Sequence, residues 1–230
     1  MSGPIWIADV SNWQAGLNIE QVAREGFSAV IAKATEGTTF VDQQFAGFIP
    51  RIQAAGMIPG AYHFLRAGSG TAQAQAFHAR VAAVGGPGGF LIACDNEKDA
   101  DWATTAAFIT EWNRLSGNHP ILMYTGSWWW NPKGWDGASL TPHLWRSHYV
   151  DGTDYASTLY QHVPDGWWHP GYGGWPQAAI LQFTSHARVA GMNLDANAFR
   201  GSLDELRALT RFSGAPQAPA APTGHGVAGD

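Results

Sequence analysis

The sequence contains a single cysteine, Cys94, among 230 residues. One thiol cannot form an intramolecular disulfide, so a packed core has to hold the fold together. Cys94 lies inside an apolar run that predicts a buried strand, which favours a packing role for its side chain. Hydrophobic residues make up 45% of the chain, enough for one core of barrel or doubly wound size.

Basic residues are few and scattered along the chain. Thirteen lysines and arginines stand against eighteen aspartates and glutamates, for a net charge of -5 at pH 7. Surfaces that bind nucleic acid need clustered positive charge, so we expect no nucleic-acid partner. Histidine and cysteine also lack metal-ligand spacing, so we expect no metal and no other cofactor.

Long apolar runs are missing as well. No run approaches 18 residues, the length that a membrane helix needs, so we expect no membrane partner. The first residues, MSGPIWIADVSNW, have neither the basic start nor the apolar stretch of a secretory signal peptide. After Phe212 the sequence is SGAPQAPAAPTGHGVAGD, rich in alanine, proline and glycine. This composition predicts one folded domain over 1–212 and a linker or disordered tail over 213–230.

Short apolar strands alternate with helical patterns in the first half of the chain. A helical face, for example, runs from Val41 to Ile52 and ends at Gly56. The predicted strands are Pro4–Val10, Phe27–Ala34, Met57–Leu65, Phe90–Cys94, Pro120–Thr125, Leu144–Tyr149, Ala178–Thr184 and Met192–Phe199.

The alternation predicts the α/β class with a parallel sheet. Length and the cover on both faces favour a closed (β/α) barrel, regular for about five βα units and irregular afterwards. Ser127 to Leu140 shows no helical period, whereas Ser202 and Glu205 form a capping box that predicts a last helix. A doubly wound open sheet is the alternative fold.

A pair of acids follows the strand Phe90–Cys94. Asp95 and Glu97 stand at i and i+2, so their side chains point the same way, roughly 6 to 7 Å apart along the backbone. This pattern is typical of a catalytic carboxylate pair. The alternative is two solvated acids, or acids paired with Lys33, Arg66 or Lys98.

Side chains at the other strand ends decide between these readings, because a parallel barrel places its site at the carboxyl ends of its strands. The residues expected at or near those ends are Asp9, Tyr62, His63, Asp95, Glu97, Tyr124, Trp145, Gln182 and Asp195. Four acids with tyrosine and tryptophan favour acid chemistry on a sugar. We expect Lys33 to keep one neighbouring acid ionised.

Twelve tryptophans far exceed what one core needs, and Trp128, Trp129 and Trp130 are consecutive. Indole rings can stack on the apolar faces of pyranose sugars, or they can be buried under long loops. Both interpretations stay open for any single tryptophan.

The sequence resembles the family 25 glycoside hydrolases, lysozymes that hydrolyse bacterial peptidoglycan, as in many phage endolysins. The resemblance covers residues 4 to about 210. The segments that carry it, in order, are ADVSNWQ, AVIAKATEGTTFVDQQF, IQAAGMIPGAYHFLR, DNE, LMYTG, LWRSHY, ILQFTS and LDANAF. Asn96 and Arg146 depart from the family pattern, and strand alternation predicts that both point away from the site.

The resemblance implies an irregular barrel of eight strands that cleaves the β-1,4 bond between N-acetylmuramic acid and N-acetylglucosamine. It implies Glu97 as general acid, with Asp9, Asp95 and Asp195 around the reacting sugar. The substrate-binding residues expected are Lys33, Tyr62, Tyr124, Trp145 and Gln182. Acids projecting from one strand lie too close for inversion, which needs roughly 6.5 to 9.5 Å, so we expect retention.

Two other classes of function are compatible with the sequence. A catalytically inactive wall-binding module could use the same cleft, and a chitinase or a metal-dependent deacetylase or amidase could use a similar barrel. The expected partner is peptidoglycan glycan, and the expected state is a monomer. The absence of a signal peptide pattern favours a phage lysin acting on the host wall over a secreted bacterial enzyme.

Overall fold

A computed structural model describes residues 3–211. The linker predicted over 213–230 lies outside the described residues. The strands are β1 Ile5–Val10, β2 Phe27–Glu36, β3 Phe40–Val41, β4 Ile58–Phe64, β5 Leu91–Asp95, β6 Leu122–Gly126, β7 His143–Ser147, β8 Ala178–Val189 and β9 Met192–Phe199.

Eight of these strands close into a barrel. Their order is β1-β9-β8-β7-β6-β5-β4-β2, and the pairing of β1 with β2 closes the ring. The two-residue β3 is added to the edge of β2 by an antiparallel pairing. The α/β barrel prediction is therefore confirmed, and the open-sheet alternative is wrong because both edges of the sheet are joined.

Helices cover the outside of the barrel unevenly. They are α1 Ile19–Arg24, α2 Phe45–Ala54, α3 Gly70–Ala82, α4 Trp102–Ser116, α5 Ser127–Trp130, α6 Ala156–Leu159 and α7 Leu203–Ala208. Strands β1, β2, β4 and β5 are each followed by a helix of at least six residues, whereas β6 leads into the four-residue α5. None of these helices, in the described part of the chain, is long and apolar enough to cross a membrane.

Two local predictions need correction. Val41 was expected on a helical face but pairs with Thr35 in the β2–β3 ladder, and the helix begins only at Phe45. The segment from Ser127, expected to be irregular, starts with the single helical turn α5. A single turn is too short to produce a 3.6-residue period in the sequence.

The last strand departs from the predicted parallel sheet. β9 runs antiparallel to both β8 and β1. Val189 pairs with Met192 across a two-residue turn, in which Ala190 has φ +50° and Gly191 has φ +80°. Positive φ at both positions is typical of the type I′ hairpin turn, which can only join antiparallel strands. Asp195 therefore lies in the middle of its strand rather than at its end.

Alternating strand residues build two apolar layers. Ile7, Ile31, Leu91 and Leu122 face the barrel interior, together with the rings of deeper site residues. Their neighbours along each strand, such as Ala8, pack outward under the helices. Burial of both strand faces explains the continuous apolar runs in the sequence. Polar residues of the inward face, such as Asp9 and Gln182, lie at the mouth of the barrel.

Candidate active site

A cavity of about 220 Å³ opens at the mouth of the barrel. Nine residues were predicted from the sequence to act in catalysis or to bind substrate, and the structure brings all nine together in this cavity. They are Asp9, Lys33, Tyr62, Asp95, Glu97, Tyr124, Trp145, Gln182 and Asp195. Ser11, Trp13, Phe64 and Tyr149 complete the lining.

Asp9 and Asp195 face each other across neighbouring strands. They are register partners in the β1–β9 ladder, and their side chains share a hydrogen bond. Burial raises the pKa of both carboxyls, and the neighbouring charge of Asp9 brings the pKa of Asp195 to about 9. The pair therefore holds one proton at neutral pH, and it resides on Asp195.

Asp9 is the partner whose anion is better stabilised, because amide groups donate to it. Its Oδ2 accepts from Gln182 Nε2 at 2.9 Å and from Asn197 Nδ2 at 2.8 Å. These bonds and the one with Asp195 oppose the effect of burial on the pKa of Asp9. Hydrogen bonds to the charged form favour ionisation, so the negative charge of the pair resides on Asp9.

Asp95 ends β5 and is buried. Burial raises the pKa of its carboxyl well above the ordinary value, and the charge of Glu97 adds to the effect. Its Oδ1 has no hydrogen-bond partner among the described residues. Asp95 thus differs from Asp9, whose carboxylate is held by several donors.

Glu97 lies two residues beyond the end of β5, and it is less buried than Asp95. Burial raises the pKa of its carboxyl to about 7, with the charge of Asp9 contributing and that of Lys33 opposing. A carboxylic acid with this pKa can both give and take a proton near neutral pH. Glu97 is therefore the acid of this cluster best suited to proton transfer.

A hydrogen-bonded network joins the aromatic wall to the acids. The hydroxyls of Tyr124 and Tyr149 both donate to Gln182 Oε1, the former at 2.7 Å. The amide nitrogen of Gln182 donates to Asp9, so the network extends from the tyrosines to this acid. The amide is thereby held in one orientation, with its oxygen toward the tyrosines and its nitrogen toward the carboxylate.

Asn197 was missed by the sequence reasoning. Its Oδ1 accepts from Trp145 Nε1 at 2.6 Å, and its Nδ2 donates both to Ile7 O and to Asp9. Two residues after Asp195 on the same strand, Asn197 shares its face, and this spacing was a usable signal. Tyr149 and Trp13 were also missed, and the structure places them after the ends of β7 and β1.

Lys33 lines the cavity but does not pair with any of the four acids. Its Nζ lies 2.6 Å from Glu36 Oε2, and Arg66 contacts the other oxygen of Glu36 at 2.8 Å. Burial raises the pKa of Glu36, but the hydrogen bonds from both cations outweigh it and hold this pKa below its ordinary value. The acid that Lys33 keeps ionised is thus Glu36, outside the predicted set.

His63, expected at the mouth beside Tyr62, points the other way. Its ring is buried, contacts Thr35 Oγ1 at 2.7 Å and stacks on Phe108 at 4.9 Å between centroids. Successive strand residues alternate in direction, so Tyr62 and His63 cannot share a face. His63 therefore belongs to the packing between the barrel and its helices.

The two departures from the family pattern also lie outside the cavity. Asn96 is buried and bonds to Thr105 Oγ1 at 2.8 Å and to Trp129 Nε1 at 3.1 Å. Arg146 donates to the carbonyl oxygen of Trp167. Both side chains thus point away from the acids, as strand alternation predicts.

Comparisons with known proteins agree with this geometry. The model of the glycosyl hydrolases family 25 matches residues 8–192. Lysozyme M1 of Streptomyces globisporus is 31% identical over 223 residues, which cover 87% of this chain and 69% of that protein. An N,O-diacetylmuramidase of Chalaropsis is 29% identical over 221 residues, which cover 87% of this chain and 96% of that protein.

A solved structure supports the same relationship. The bacterial lysozyme from Streptomyces coelicolor superposes with a TM-score of 0.72 at 29% identity, covering 91% of this chain and 98% of the other. The family model spans the second half of β1 and all the strands from β2 to β8, with three of the four acids of the mouth. It ends at the first residue of β9, three residues before Asp195. The chain belongs to the glycosyl hydrolases family 25.

Proposed function

We propose that this protein cleaves the β-1,4 bond between N-acetylmuramic acid and N-acetylglucosamine in peptidoglycan, with Glu97 as general acid and base. Membership of family 25 makes it a glycoside hydrolase of the lysozyme type. Two of its relatives carry the names lysozyme and N,O-diacetylmuramidase, which favour this bond. The observation that carries the proposal is Glu97, with a pKa of about 7, among three further acids at the barrel mouth.

Glycoside cleavage needs a proton on the leaving oxygen as the bond from it to the anomeric carbon breaks. In this proposal Glu97 donates that proton and becomes a carboxylate. The same carboxylate then takes a proton from the attacking water, whose hydroxyl bonds to the anomeric carbon. Glu97 ends in its starting state, so atoms and protons balance over one turnover.

Positive charge develops on the sugar ring in the transition state. Asp9 is the group suited to stabilise it, because two amides and the proton on Asp195 keep its carboxylate ionised although it is buried. A fixed carboxylate in a water-poor cavity acts more strongly than one in solution. Asp195 supports this arrangement by keeping its proton in the hydrogen bond to Asp9.

Net retention remains our proposal for the stereochemistry. Asp95 and Glu97 lie at i and i+2 and line the same cavity, which favours a short separation between their carboxyl groups. We favour Asp95 orienting the 2-acetamido group of the substrate, whose oxygen attacks the anomeric carbon as the bond to the leaving oxygen breaks. Water then attacks the same carbon and breaks its bond to the acetamido oxygen, which restores the acetamido group. In the competing version, Asp95 or Asp9 forms a covalent ester with the sugar.

Proton NMR of the first product tests the stereochemistry. Retention predicts that the β anomer appears first and then mutarotates, whereas an initial α anomer would contradict both versions of the mechanism. Inhibition by a thiazoline mimic of the acetamido intermediate is expected for the substrate-assisted version. A glycosyl ester trapped on Asp95 or Asp9 would reject that version.

A wall-binding module without activity and a chitinase-like hydrolase are the alternatives to this function. Zymography on gels containing bacterial cell walls separates the first, since only an enzyme produces cleared zones. Purified chitin tests the second, and we expect slower release of reducing ends from chitin than from peptidoglycan.

A further inference from the structure

A second cleft of about 330 Å³ adjoins the mouth of the barrel. It lies over the ends of β6 and β7, on the side away from β1, where Asp9 lies. Its lining is Glu97, Ser127, Trp128, Ser147, His148 and Tyr149. Glu97 and Tyr149 line both this cleft and the acidic cavity, so they form the boundary between the two.

Trp128 provides an exposed aromatic face in the second cleft. Its side chain is 61% exposed, which burial in a core would not produce. One edge of the indole is nonetheless held against the chain, because a Cβ built on Gly126 would overlap the Trp128 ring and lie 2.9 Å from Ser147 Oγ. Trp129 packs beside it at 6.2 Å between ring centroids. The indole is therefore exposed to solvent and held in place.

His148 supplies a hydrogen-bond donor in the same cleft. Arg146 Nη2 lies 3.0 Å from His148 Nδ1, and since arginine can only donate, Nδ1 accepts and the ring hydrogen resides on Nε2. The imidazole also stacks on Trp167, with 3.8 Å between centroids and 12° between planes. A fixed donor near an exposed indole is the combination that recognises a hydroxylated sugar with an apolar face.

The position of Glu97 indicates which sugar of the substrate the second cleft would bind. A general acid protonates the oxygen that joins two sugars, so it has to lie between the sugar that reacts and the sugar that leaves. The acids that act on the reacting sugar, Asp9, Asp95 and Asp195, line only the first cavity. The second cleft then lies on the leaving side.

We propose that this second cleft binds the leaving 2-acetamido sugar of the glycan strand, with the indole of Trp128 stacked on the pyranose ring. The inference rests on the proposed function, because it takes Glu97 as the acid. It adds a binding site and a residue that determines how well a long glycan, as opposed to a short one, is cleaved.

Two substrates that differ only on the leaving side test this site. The first is a soluble tetrasaccharide of alternating N-acetylglucosamine and N-acetylmuramic acid. The second is N-acetylglucosaminyl-N-acetylmuramyl β-fluoride, whose leaving group is too small to fill the second cleft. In Trp128→Ala we expect kcat/KM for the tetrasaccharide to fall about tenfold, from the loss of one aromatic contact. For the fluoride we expect a change of less than about twofold.

Two further variants sharpen the test. Trp128→Phe keeps a stacking face and is expected to recover most of the lost kcat/KM. Gly126→Ala is expected to reproduce the defect by displacing the indole, and to add nothing in a Trp128→Ala background. Tyr155→Ala, which removes a ring that is 60% exposed and outside both clefts, is the matched control with wild-type kinetics on both substrates.

The possible outcomes distinguish failure of the leaving-sugar site from failure of the proposed function. Equal losses on both substrates, or no loss on either, would overturn the leaving-sugar site while leaving the proposed function in place. A wild-type protein that cleaves neither substrate nor peptidoglycan would contradict the proposed function, and the site with it.

Discussion

The four acids of the mouth have different surroundings, and these divide their tasks. Asp9 receives two amide donors, and Asp195 shares its proton with Asp9. Asp95 is buried, with one oxygen that has no hydrogen-bond partner among residues 3–211, and Glu97 has a pKa of about 7, close to neutral pH. Pairs of titratable groups whose pKa values are pushed apart are how a site assigns acid and base roles.

Removing the proton from Glu97 is the most direct residue-level change. Glu97→Gln keeps the size and the hydrogen bonding of the side chain but has no proton to transfer, so kcat should fall about 10²- to 10⁴-fold. Circular dichroism should show an unchanged fold. Glu20→Gln, at an exposed position in the first turn of α1, is the matched control. Near-wild-type turnover by folded Glu97→Gln would refute the assignment.

The pH dependence of activity reports the same group. Glu97 has to be protonated to act as an acid, and its pKa is raised to about 7 by burial and by the charge of Asp9. We expect kcat/KM on a soluble glycan to decline above about pH 7, approaching tenfold per pH unit. A profile that stays flat to pH 9 would show that another group donates the proton.

Asp195 links the site to stability. Its pKa of about 9 in the fold exceeds the ordinary aspartate value of 3.8, so the folded state keeps a proton that the unfolded chain releases. Stability from this group is full below pH 3.8 and is lost as pH rises toward 9. Asp195→Asn keeps a donor for Asp9 and cannot ionise.

We therefore expect Asp195→Asn to melt about 2 to 4 °C above the wild type at pH 7, for a gain of roughly 1 kcal/mol. The difference should vanish near pH 3.5. Differential scanning calorimetry at the two pH values measures both. A variant that melts lower at pH 7 would show that Asp195 is ionised in the fold.

At the scale of single residues, the sequence predicted those that carry charge or end a strand. Asp95 and Glu97 were recognisable from their spacing, and Asp9 from its place after an apolar run. Asn197 and Tyr149 were not, because their roles depend on which strands become neighbours in space. His63 shows the reverse error, since a chemically suggestive residue beside Tyr62 points into the packing.

At the scale of elements, the β8–β9 hairpin differs from its surroundings. Ala190 adopts φ +50° at the first position of the turn, a region that alanine adopts at a cost of about 1 to 2 kcal/mol. The hairpin carries Asp195 and Asn197 into the mouth, so its register matters to the site. A β-strand shifted by one residue would turn both side chains away from it.

Ala190→Asn should stabilise the protein by about 0.5 to 1 kcal/mol, because Asn-Gly is the preferred pair for this turn. Urea unfolding measures the change, and Ala187→Asn, a buried position in the same hairpin, is the contrasting variant that should destabilise. Equal effects at both positions would mean that backbone conformation is not the cause.

The periods of strands and helices made most elements predictable. They carry no information about the direction of the last strand. Apolar runs marked the barrel strands, and Ser202 with Glu205 marked the start of α7, where the capping box is present. The orientation of β9 depends on two turn residues, Ala190 and Gly191. Alanine at the first of them hides the signal that asparagine would supply.

At the scale of the whole molecule, seven of the eight barrel strands run parallel to one another, and β9 runs antiparallel to both of its neighbours. Helices of at least six residues follow β1, β2, β4, β5 and β9, whereas β6, β7 and β8 lead into shorter helical turns or the hairpin turn. Parallel strands bring β1, β5, β6 and β7 to the mouth with their ends together, which places acids and aromatic rings within one cavity. The antiparallel β9 adds Asp195 from the opposite direction. The site is therefore built both from the ends of parallel strands and from the middle of the antiparallel strand β9.

The identity of the new reducing end tests the central claim most directly. Peptidoglycan digested with the wild-type protein is reduced with borohydride and analysed by mass spectrometry, with Glu97→Gln as the parallel sample. We expect N-acetylmuramitol at the ends released by the wild type and a loss of about 10²- to 10⁴-fold in those released by the variant. N-acetylglucosaminitol at the new ends, or equal release by both proteins, would contradict the account.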